Sequence, residues 1–246
     1  MKKTVFLFPI MMLILTACGD SADIPSDNDQ TDTSSPLKSV QNETSADLSE
    51  SPLSSDISNE DKEEEEVGNI LIAYFSRADE NYNVGYIEKG NTQIIADMIE
   101  QQTGGTLFHI QTVIPYPESY KECTDVAQKE QNENARPELA GSIDNMADYD
   151  VIFLGYPNWW GDMPMAVYTF LESYDFSGKT IVPFCTHEGS GLSDTVKSIS
   201  NTCSDTEILD GLAIRGKTAQ ESEEEAKETV IGWLNEIGFV ELSGKE

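Results

Sequence analysis

Three short stretches of the chain carry residue types suited to holding a flat, negatively charged ligand. The first combines Ser76 with Gly-Asn-Thr at residues 90–92, a predicted helix start whose free backbone N–H groups attract anions. The second places Trp159 and Trp160 on a loop bracketed by Pro and Gly, where two large aromatic rings are costly to expose. The third is the Gly-containing loop T-H-E-G-S-G at residues 186–191. Together the three stretches fit a phosphorylated, flat heterocycle.

Each stretch also has a purely structural explanation. Ser76 can simply cap the following helix, the paired tryptophans can be core packing, and T-H-E-G-S-G can be an ordinary turn. A serine hydrolase is disfavoured, because Ser190 lies in Gly-Ser-Gly and not in the G-x-S-x-G turn of that class. The three stretches indicate a ligand only if the fold brings them to one place.

The elements that must position these stretches alternate between strand and helix. Strands are predicted at residues 69–75, 106–111, 151–154, 179–185 and 207–214. Helices are predicted at residues 90–103, about 119–134, about 164–174, 192–200 and 219–237. This order predicts an α/β fold with a five-stranded parallel sheet in a three-layer sandwich. The ligand stretches follow the first, third and fourth strands, so we expect them at the carboxyl end of the sheet.

The motifs on these loops resemble those of the flavodoxin-like family. The resemblance rests on Y-F-S at 74–76, G-N-T at 90–92, G-Y-P-N-W-W-G at 155–161 and F-S-G-K-T-I-V-P-F-C-T at 176–186, followed by G-S-G. It covers nearly all of residues 69–246, and within the family it is closest to a branch of bacterial exported and cytosolic proteins. It implies a flavodoxin-like sandwich with strand order 2-1-3-4-5 and non-covalently bound FMN.

The resemblance also implies which residues hold the FMN. The phosphate would be held by Ser76, Asn91 and Thr92, with Arg77 as a further candidate. One side of the flavin ring would be lined by Pro157, Asn158, Trp159, Trp160 and Gly161, with at least one tryptophan stacked. The other side would be bordered by Thr186, His187, Glu188, Gly189, Ser190 and Gly191. His187 or Glu188 either tunes the ring and relays a proton, or faces solvent.

The chain departs from the family pattern at residues 77–89. Family members commonly run Ser/Thr-x-Thr-Gly-Asn-Thr without interruption, whereas this chain inserts thirteen residues before its Gly-Asn-Thr. The insertion carries Tyr82, Asn83 and Tyr86. It either folds over the flavin as a lid or lies exposed on the surface.

The N-terminal residues predict export and lipid attachment. Lys2 and Lys3 precede an apolar run at 5–15 that is shorter than the roughly 20 residues of a spanning helix. The L-T-A-C sequence ending at Cys18 resembles a bacterial lipoprotein signal. It implies that residues 1–17 are a signal peptide, that Cys18 is lipidated, and that the protein is anchored at the outer face of the cell membrane.

Composition separates an acidic tether from the domain. Residues 18–68 are rich in Ser, Asp and Glu, carry 15 acidic residues against two lysines, and are predicted to be an extended tether. Residues 69–246 form one domain, whose net charge is −30 + 13 − 2 = −19 once the tether and the signal lysines are removed. Such acidity makes nucleic acid an unexpected partner.

The sequence gives little support for a metal site or a redox dithiol. There are only two His residues and no closely spaced Cys pair. Cys123, Cys185 and Cys203 are therefore interpreted as isolated buried thiols, with one disulfide as the alternative.

We therefore expect an FMN-binding redox protein that transfers electrons to a redox partner or reduces a small acceptor such as a quinone. The alternative is a lipoprotein that binds a flavin or another ligand without turnover. No nicotinamide-binding signature is visible, and no catalytic residue is identified, because the chemistry would belong to the flavin.

Overall fold

The computed structural model describes residues 68–240 of the 246-residue chain. The predicted signal peptide at 1–17, the lipidation site Cys18 and nearly all of the acidic tether lie outside the described residues. Among the helices that are described, none combines the length and the apolarity needed to cross a membrane.

Strands and helices alternate along the chain. The strands are β1 (Ile70–Tyr74), β2 (Asp79–Asn81), β3 (Gly85–Ile87), β4 (Thr106–His109), β5 (Val151–Pro157), β6 (Thr180–His187), β7 (Glu207–Ile208) and β8 (Leu212–Arg215). The α-helices are α1 (Asn91–Thr103), α2 (Tyr120–Glu133), α3 (Met165–Glu172), α4 (Thr195–Thr202), α5 (Gly216–Glu221) and α6 (Glu223–Glu236), and a 3-10 turn covers Met146–Asp148.

The central sheet is parallel and runs in the order β4-β1-β5-β6, with β7 and β8 both paired to β6. This arrangement confirms the predicted α/β class and the order 2-1-3-4-5. The predicted fifth strand is divided in two, and the break lies opposite Pro183. Because Pro183 has no N–H to give to the neighbouring strand, regular pairing stops after Ile208 and resumes at Leu212.

Both faces of the sheet are covered, which explains why its strands read as unbroken apolar runs. Along β5, Ile152 and Leu154 face a core shared with α3 and α4, while Val151 and Phe153 face a core shared with α1, α5 and α6. The strands therefore end between two layers of helices. Their carboxyl ends are the part of the sheet that remains open to a ligand.

The helix predictions are confirmed except that α4 begins at Thr195 and not at residue 192, and that the C-terminal helix is divided. Helix α1 stops where expected, because Gly104 adopts a left-handed conformation with φ of 70° and returns its N–H to the Glu100 carbonyl oxygen. The predicted helix at 219–237 is instead two helices that break at Ser222. Glu223, the first of three acidic residues in the first turn of α6, favours a new helix start there through the helix dipole.

The insertion at 77–89 forms an antiparallel hairpin of β2 and β3, which the sequence analysis did not predict. Asn83 in its turn has φ of 64° and Gly85, the first residue of β3, has φ of 70°, and both residue types tolerate the left-handed region. We refer to residues 79–87 as the β2–β3 hairpin.

Candidate functional site

One cleft collects the loops that follow β1, β5 and β6. Nine of the fifteen residues predicted for the site line it: Arg77, Asn91, Pro157, Asn158, Trp159, Trp160, Thr186, His187 and Glu188. Six do not line it: Ser76, Thr92, Gly161, Gly189, Ser190 and Gly191. The fold thus brings the three predicted stretches together, as the parallel topology requires.

Ser76 and Thr92 lie buried behind the cleft, where their hydroxyls stabilise the segments that line it. The Ser76 hydroxyl accepts a hydrogen bond from the Gln93 N–H at 3.1 Å, so it caps α1 from outside the helix. The hydroxyls of Thr92 and Thr186 share a hydrogen bond of 2.8 Å, and both residues are almost fully buried. These contacts fix the start of α1 against the end of β6.

Arg77 is the candidate that best fits an anionic group. Its guanidinium donates from Nη1 to the Glu80 carbonyl oxygen at 2.7 Å, and from Nη2 to the Pro117 and Glu118 carbonyl oxygens at 2.8 and 2.7 Å. Its Nε is buried and has no partner among the described residues. Since a buried unpaired donor is unfavourable, Nε is suited to donate to an oxyanion in the cleft.

The start of α1 adds a second anion-binding feature beside Arg77. Asn91 is the first residue of α1 and lines the cleft, where the N–H groups of a helix start favour negative charge. Its side-chain oxygen accepts a hydrogen bond from Gln220 at 2.9 Å, which holds the helix start against α5. A Cβ at Gly90 would collide with the Ser76 hydroxyl, so glycine allows this close approach.

The two tryptophans have different surroundings. Trp159 is partly buried and meets Phe75 and Tyr116 edge-on, with ring centroids 5.3 and 5.1 Å apart. Trp160 is 54% exposed and donates its indole N–H to the Thr124 carbonyl oxygen at 3.2 Å. Packing therefore accounts for Trp159, whereas Trp160 presents a free aromatic surface at the mouth of the cleft.

A tight turn sets this difference. Trp159 and Asp162 exchange backbone hydrogen bonds of 2.8 and 3.0 Å, and Trp160 and Gly161 between them have φ of 55° and 82°. The Asn158 side-chain oxygen accepts the Gly161 N–H at 3.1 Å. Because the chain reverses at Trp160, its ring points away from the core that holds Trp159.

Asn158 also ties the tryptophan loop to the loop after β6. Its side-chain amide donates to the Gly191 carbonyl oxygen at 3.1 Å and to the Ser193 hydroxyl at 3.0 Å. Its backbone N–H donates to the Thr186 carbonyl oxygen at 2.8 Å. Beyond this brace, Gly189 and Ser190 are exposed and point away from the cleft.

His187 is a neutral side chain on the wall of the cleft. Burial, followed by the nearby charge of Arg215, lowers the pKa of His187 below its usual value. The Nδ1 atom accepts a hydrogen bond from the Gly189 N–H at 2.8 Å, so the neutral ring carries its proton on Nε2. This residue can donate a hydrogen bond into the cleft at neutral pH.

Glu188 connects three parts of the structure. One carboxylate oxygen accepts the Lys217 backbone N–H at 2.8 Å, and the other accepts the Asn83 side-chain amide at 3.2 Å. Its carbonyl oxygen accepts a hydrogen bond from Arg215 at 3.2 Å. Its carboxylate is therefore held in place by contacts to α5 and to the tip of the β2–β3 hairpin.

The remaining cleft residues come from the hairpin and α2: Asn81, Tyr82, Tyr120, Cys123, Thr124 and Ala127. Of these, only Tyr82 was expected near the ligand, as part of the lid alternative for residues 77–89, and Cys123 was interpreted only as an isolated buried thiol. The rings of Tyr82 and Tyr120 are stacked with centroids 5.8 Å apart. The spacing of Cys123 and Ala127 gave a signal for one buried helical face, but nothing in the sequence said that this face borders the cleft.

The thiols and acidic groups do not suggest additional chemistry. Cys123, Cys185 and Cys203 are free and buried, which confirms the interpretation as isolated thiols. Burial raises the pKa of each thiol, to about 12 for Cys185 and about 11 for Cys203. Within residues 68–240, no three His, Cys, Asp or Glu side chains are grouped as metal ligands.

The domain that carries this cleft is similar to known flavoproteins. Residues 69–231 match the family model described as flavodoxin. A presumed flavoprotein from Bacteroides eggerthii is 28% identical with a TM-score of 0.56, covering 70% of this chain and 99% of its own. One from Bacteroides uniformis is 26% identical with a TM-score of 0.52, covering 68% of this chain and 98% of its own.

A flavoprotein in complex with FMN from Lactobacillus acidophilus is 20% identical with a TM-score of 0.47, covering 61% of this chain and 95% of its own. No curated protein matches the chain.

Proposed function

The chain belongs to the flavodoxin family, and we propose that it is an FMN-dependent redox protein anchored at the outer face of the cell membrane. Family membership supports FMN as the cofactor. When bound, FMN supplies one-electron or hydride chemistry, while the protein supplies binding, orientation and electrostatics. The protein passes electrons to a redox partner or to a small acceptor.

The cleft residues fit the parts of FMN. The Arg77 Nε and the N–H groups at the start of α1 are donors for the phosphate. Trp160 offers an aromatic face, and Pro157 and Asn158, which precede it in the chain, also line the cleft. Thr186 and the Nε2 proton of His187 border the cleft from β6, where they orient the ring and exclude water.

The observation that carries this proposal is the buried, unpaired Nε of Arg77, a residue that lines the cleft. A donor in this position satisfies its hydrogen-bonding capacity only with a ligand atom or a water. Its two Nη atoms are already held by carbonyl oxygens, so the guanidinium is fixed in place for that contact.

The test is an absorption spectrum of the full chain purified from membranes, recorded before and after dithionite. We expect flavin bands that bleach on reduction and FMN as the extracted cofactor. Arg77→Lys keeps the positive charge but loses the Nε donor and the carbonyl contacts, and should weaken FMN binding. A colourless protein that takes up no FMN on titration would contradict the proposal.

Membrane anchoring is proposed from the L-T-A-C signal alone and is tested separately. Cys18→Ala removes the acylated thiol. We expect the native chain in the membrane fraction and labelled by radioactive palmitate, with neither property in the variant. A native chain that is soluble and unlabelled would remove the anchor from the proposal without affecting FMN binding.

A measurement of turnover distinguishes the redox role from flavin binding without catalysis. Steady oxidation of a dihydronicotinamide with an acceptor, catalysed by the FMN-loaded chain, supports the redox role. A tightly bound flavin that remains inert to all donors supports the non-catalytic binding protein instead. Both assays use the same preparation, so cofactor loading is controlled.

A further inference from the structure

The base of the β2–β3 hairpin is fastened to the segment before α2. Arg77 donates to the Pro117 and Glu118 carbonyl oxygens, and the Glu80 N–H donates to the Glu118 carbonyl oxygen at 3.2 Å. In return, the Glu80 carboxylate accepts the Tyr120 N–H at 2.9 Å, in the first turn of α2. The hairpin is therefore a fixed extension of the α2 side of the cleft.

The tip of the hairpin reaches the opposite side of the cleft. The Asn83 side-chain amide donates to the Glu188 carboxylate at 3.2 Å, although the residues are 105 positions apart. Glu188 is itself held by the Lys217 N–H at 2.8 Å, so the hairpin tip meets an anchored group. Asn83 and Glu188 are thus a latch between the hairpin and the loop after β6.

The latched hairpin leaves an opening that is lined by aromatic rings. Tyr82 stacks on Tyr120 in the first turn of α2, and Trp160 lies one turn further along, bonded through its indole to the Thr124 carbonyl oxygen. All three rings are more than a third exposed. A flat molecule can enter the cleft beside these rings, whereas a folded protein surface meets the hairpin first.

We propose that the β2–β3 hairpin is a latched cover that retains FMN and restricts the electron acceptor to small, flat molecules. This proposal rests on the proposed FMN-dependent redox function and chooses between its two classes of acceptor. The carboxylates of Glu188, which lines the cleft, and of Glu80, which bonds the Tyr120 N–H, disfavour anionic acceptors. The acceptor is therefore a small, flat molecule that is neutral or cationic.

The first experiment breaks the latch without breaking the turn. Asn83 has φ of 64°, so Asn83→Gly keeps the turn and removes only the amide donor. Asn83→Asp also keeps the side-chain shape, but it puts a second negative charge beside Glu188. Tyr86→Phe is the matched control, because Tyr86 lies on the same hairpin, is 71% exposed and does not line the cleft.

The measured quantity is the FMN dissociation rate of the full, loaded chain. We expect release to be roughly tenfold faster in Asn83→Gly, as for loss of one hydrogen bond to a charged group, and faster still in Asn83→Asp. Tyr86→Phe should release FMN at the native rate. Native release rates in both Asn83 variants, with unchanged unfolding midpoints, would overturn the latch.

The second experiment compares acceptors of different size. The chain is reduced with dithionite, the excess is removed, and oxidation by 1,4-benzoquinone or by ferric cytochrome c is followed. The quinone takes two electrons and two protons, and each cytochrome takes one electron. Cytochrome c is basic and is attracted by the acidic domain, so electrostatics alone favours the protein acceptor.

We expect the native chain to reduce the quinone at least tenfold faster than cytochrome c, and Asn83→Asp to narrow this ratio by opening the cover. Equal rates in the native chain would overturn the restriction to small acceptors. A chain that holds no FMN fails the proposed function instead, and this outcome is recognised from the absorption spectrum before either experiment begins.

Discussion

The cleft has two walls that differ in how they are built. The strand-end wall consists of residues at the ends of β5 and β6 with the start of α1: Asn91, Pro157, Asn158, Trp159, Thr186 and His187. The cover wall consists of the β2–β3 hairpin, the start of α2 and the exposed Trp160: Asn81, Tyr82, Tyr120, Cys123, Thr124 and Trp160. The first wall has no exposed member and is internally bonded, whereas the second includes the three exposed rings of Tyr82, Tyr120 and Trp160.

The difference shows that the strand-end wall mainly stabilises the domain, whereas the cover wall mainly controls access of ligands to the cleft. In the strand-end wall, the same contacts that hold the sheet together also shape the site, as the Thr92–Thr186 pair illustrates. In the cover wall, single contacts such as that of Asn83 with Glu188 join parts that are far apart in the chain. Changes in the first wall should therefore reduce stability, and changes in the second should alter binding at nearly constant stability.

The largest expected effect is at Trp159, in the strand-end wall. Trp159→Ala removes a ring that meets Phe75 and Tyr116, and should lower the free energy of unfolding by about 3 kcal/mol. Urea unfolding followed by circular dichroism measures this loss. Unchanged stability with a large loss of FMN affinity would reverse the assignment and make Trp159 the stacking residue.

A smaller loss is expected from the hydroxyl pair behind the same wall. Thr92→Val leaves the buried Thr186 hydroxyl without that partner and should cost about 2 kcal/mol. Changing both residues to Val should recover most of this loss, because no polar group is then left unpaired. Thr92→Ser keeps the hydroxyl and serves as the control, and additive losses in the double variant would contradict the pairing.

The strand-end wall could be predicted from the sequence because its signals are local and its topology is constrained. The apolar runs of β1, β5 and β6, with the loops at Asn91, Trp159 and Thr186, place residues at one sheet edge in any parallel arrangement. The family resemblance supplied the strand order. What remained open was which tryptophan is buried, since that depends on the turn that reverses the chain at Trp160.

The cover wall could not be predicted because it depends on long-range contacts without a sequence pattern. Six hairpin residues, in two three-residue strands, carry too little periodicity to be recognised. The bond of Asn83 to Glu188 and the packing of Tyr82 on Tyr120 follow only from the folded structure. The family resemblance, from which Ser76 and Thr92 were assigned to the phosphate, likewise did not reveal that both hydroxyls are engaged behind the cleft.

A substitution of Trp160 tests the role of the cover wall in FMN binding. Trp160→Ala removes an exposed ring and should weaken FMN binding about tenfold, the size of one aromatic stacking contact, with little change in unfolding. Fluorescence titration of the FMN-free chain measures the affinity. Trp160→Phe should keep most of it, whereas equal affinity in the native chain and Trp160→Ala would show that this ring does not touch the flavin.

The smallest expected effect concerns Glu130 of α2, which accepts a hydrogen bond from the Tyr116 hydroxyl at 2.7 Å behind Trp159. Burial raises the pKa of Glu130 above its usual value, so the folded state binds a proton more readily than the unfolded chain. The ionised carboxylate therefore costs stability as pH rises through that raised pKa. Glu130→Gln keeps the acceptor without the charge and should stabilise the protein at pH 7. The gain should stay below about 1 kcal/mol, because the side chain is only half-buried and solvent screens its charge.

This gain should disappear below about pH 4, where the native carboxyl is protonated in both states. Urea unfolding at the two pH values measures it, with Glu133→Gln on the exposed face of the same helix as the control. An equal gain from both substitutions would assign the effect to the overall negative charge of the domain. A gain in stability that is specific to Glu130→Gln would show that the ionised Glu130 carboxylate lowers the stability of the domain. The same carboxylate accepts the Tyr116 hydrogen bond beneath the strand-end wall, from a helix that carries part of the cover wall.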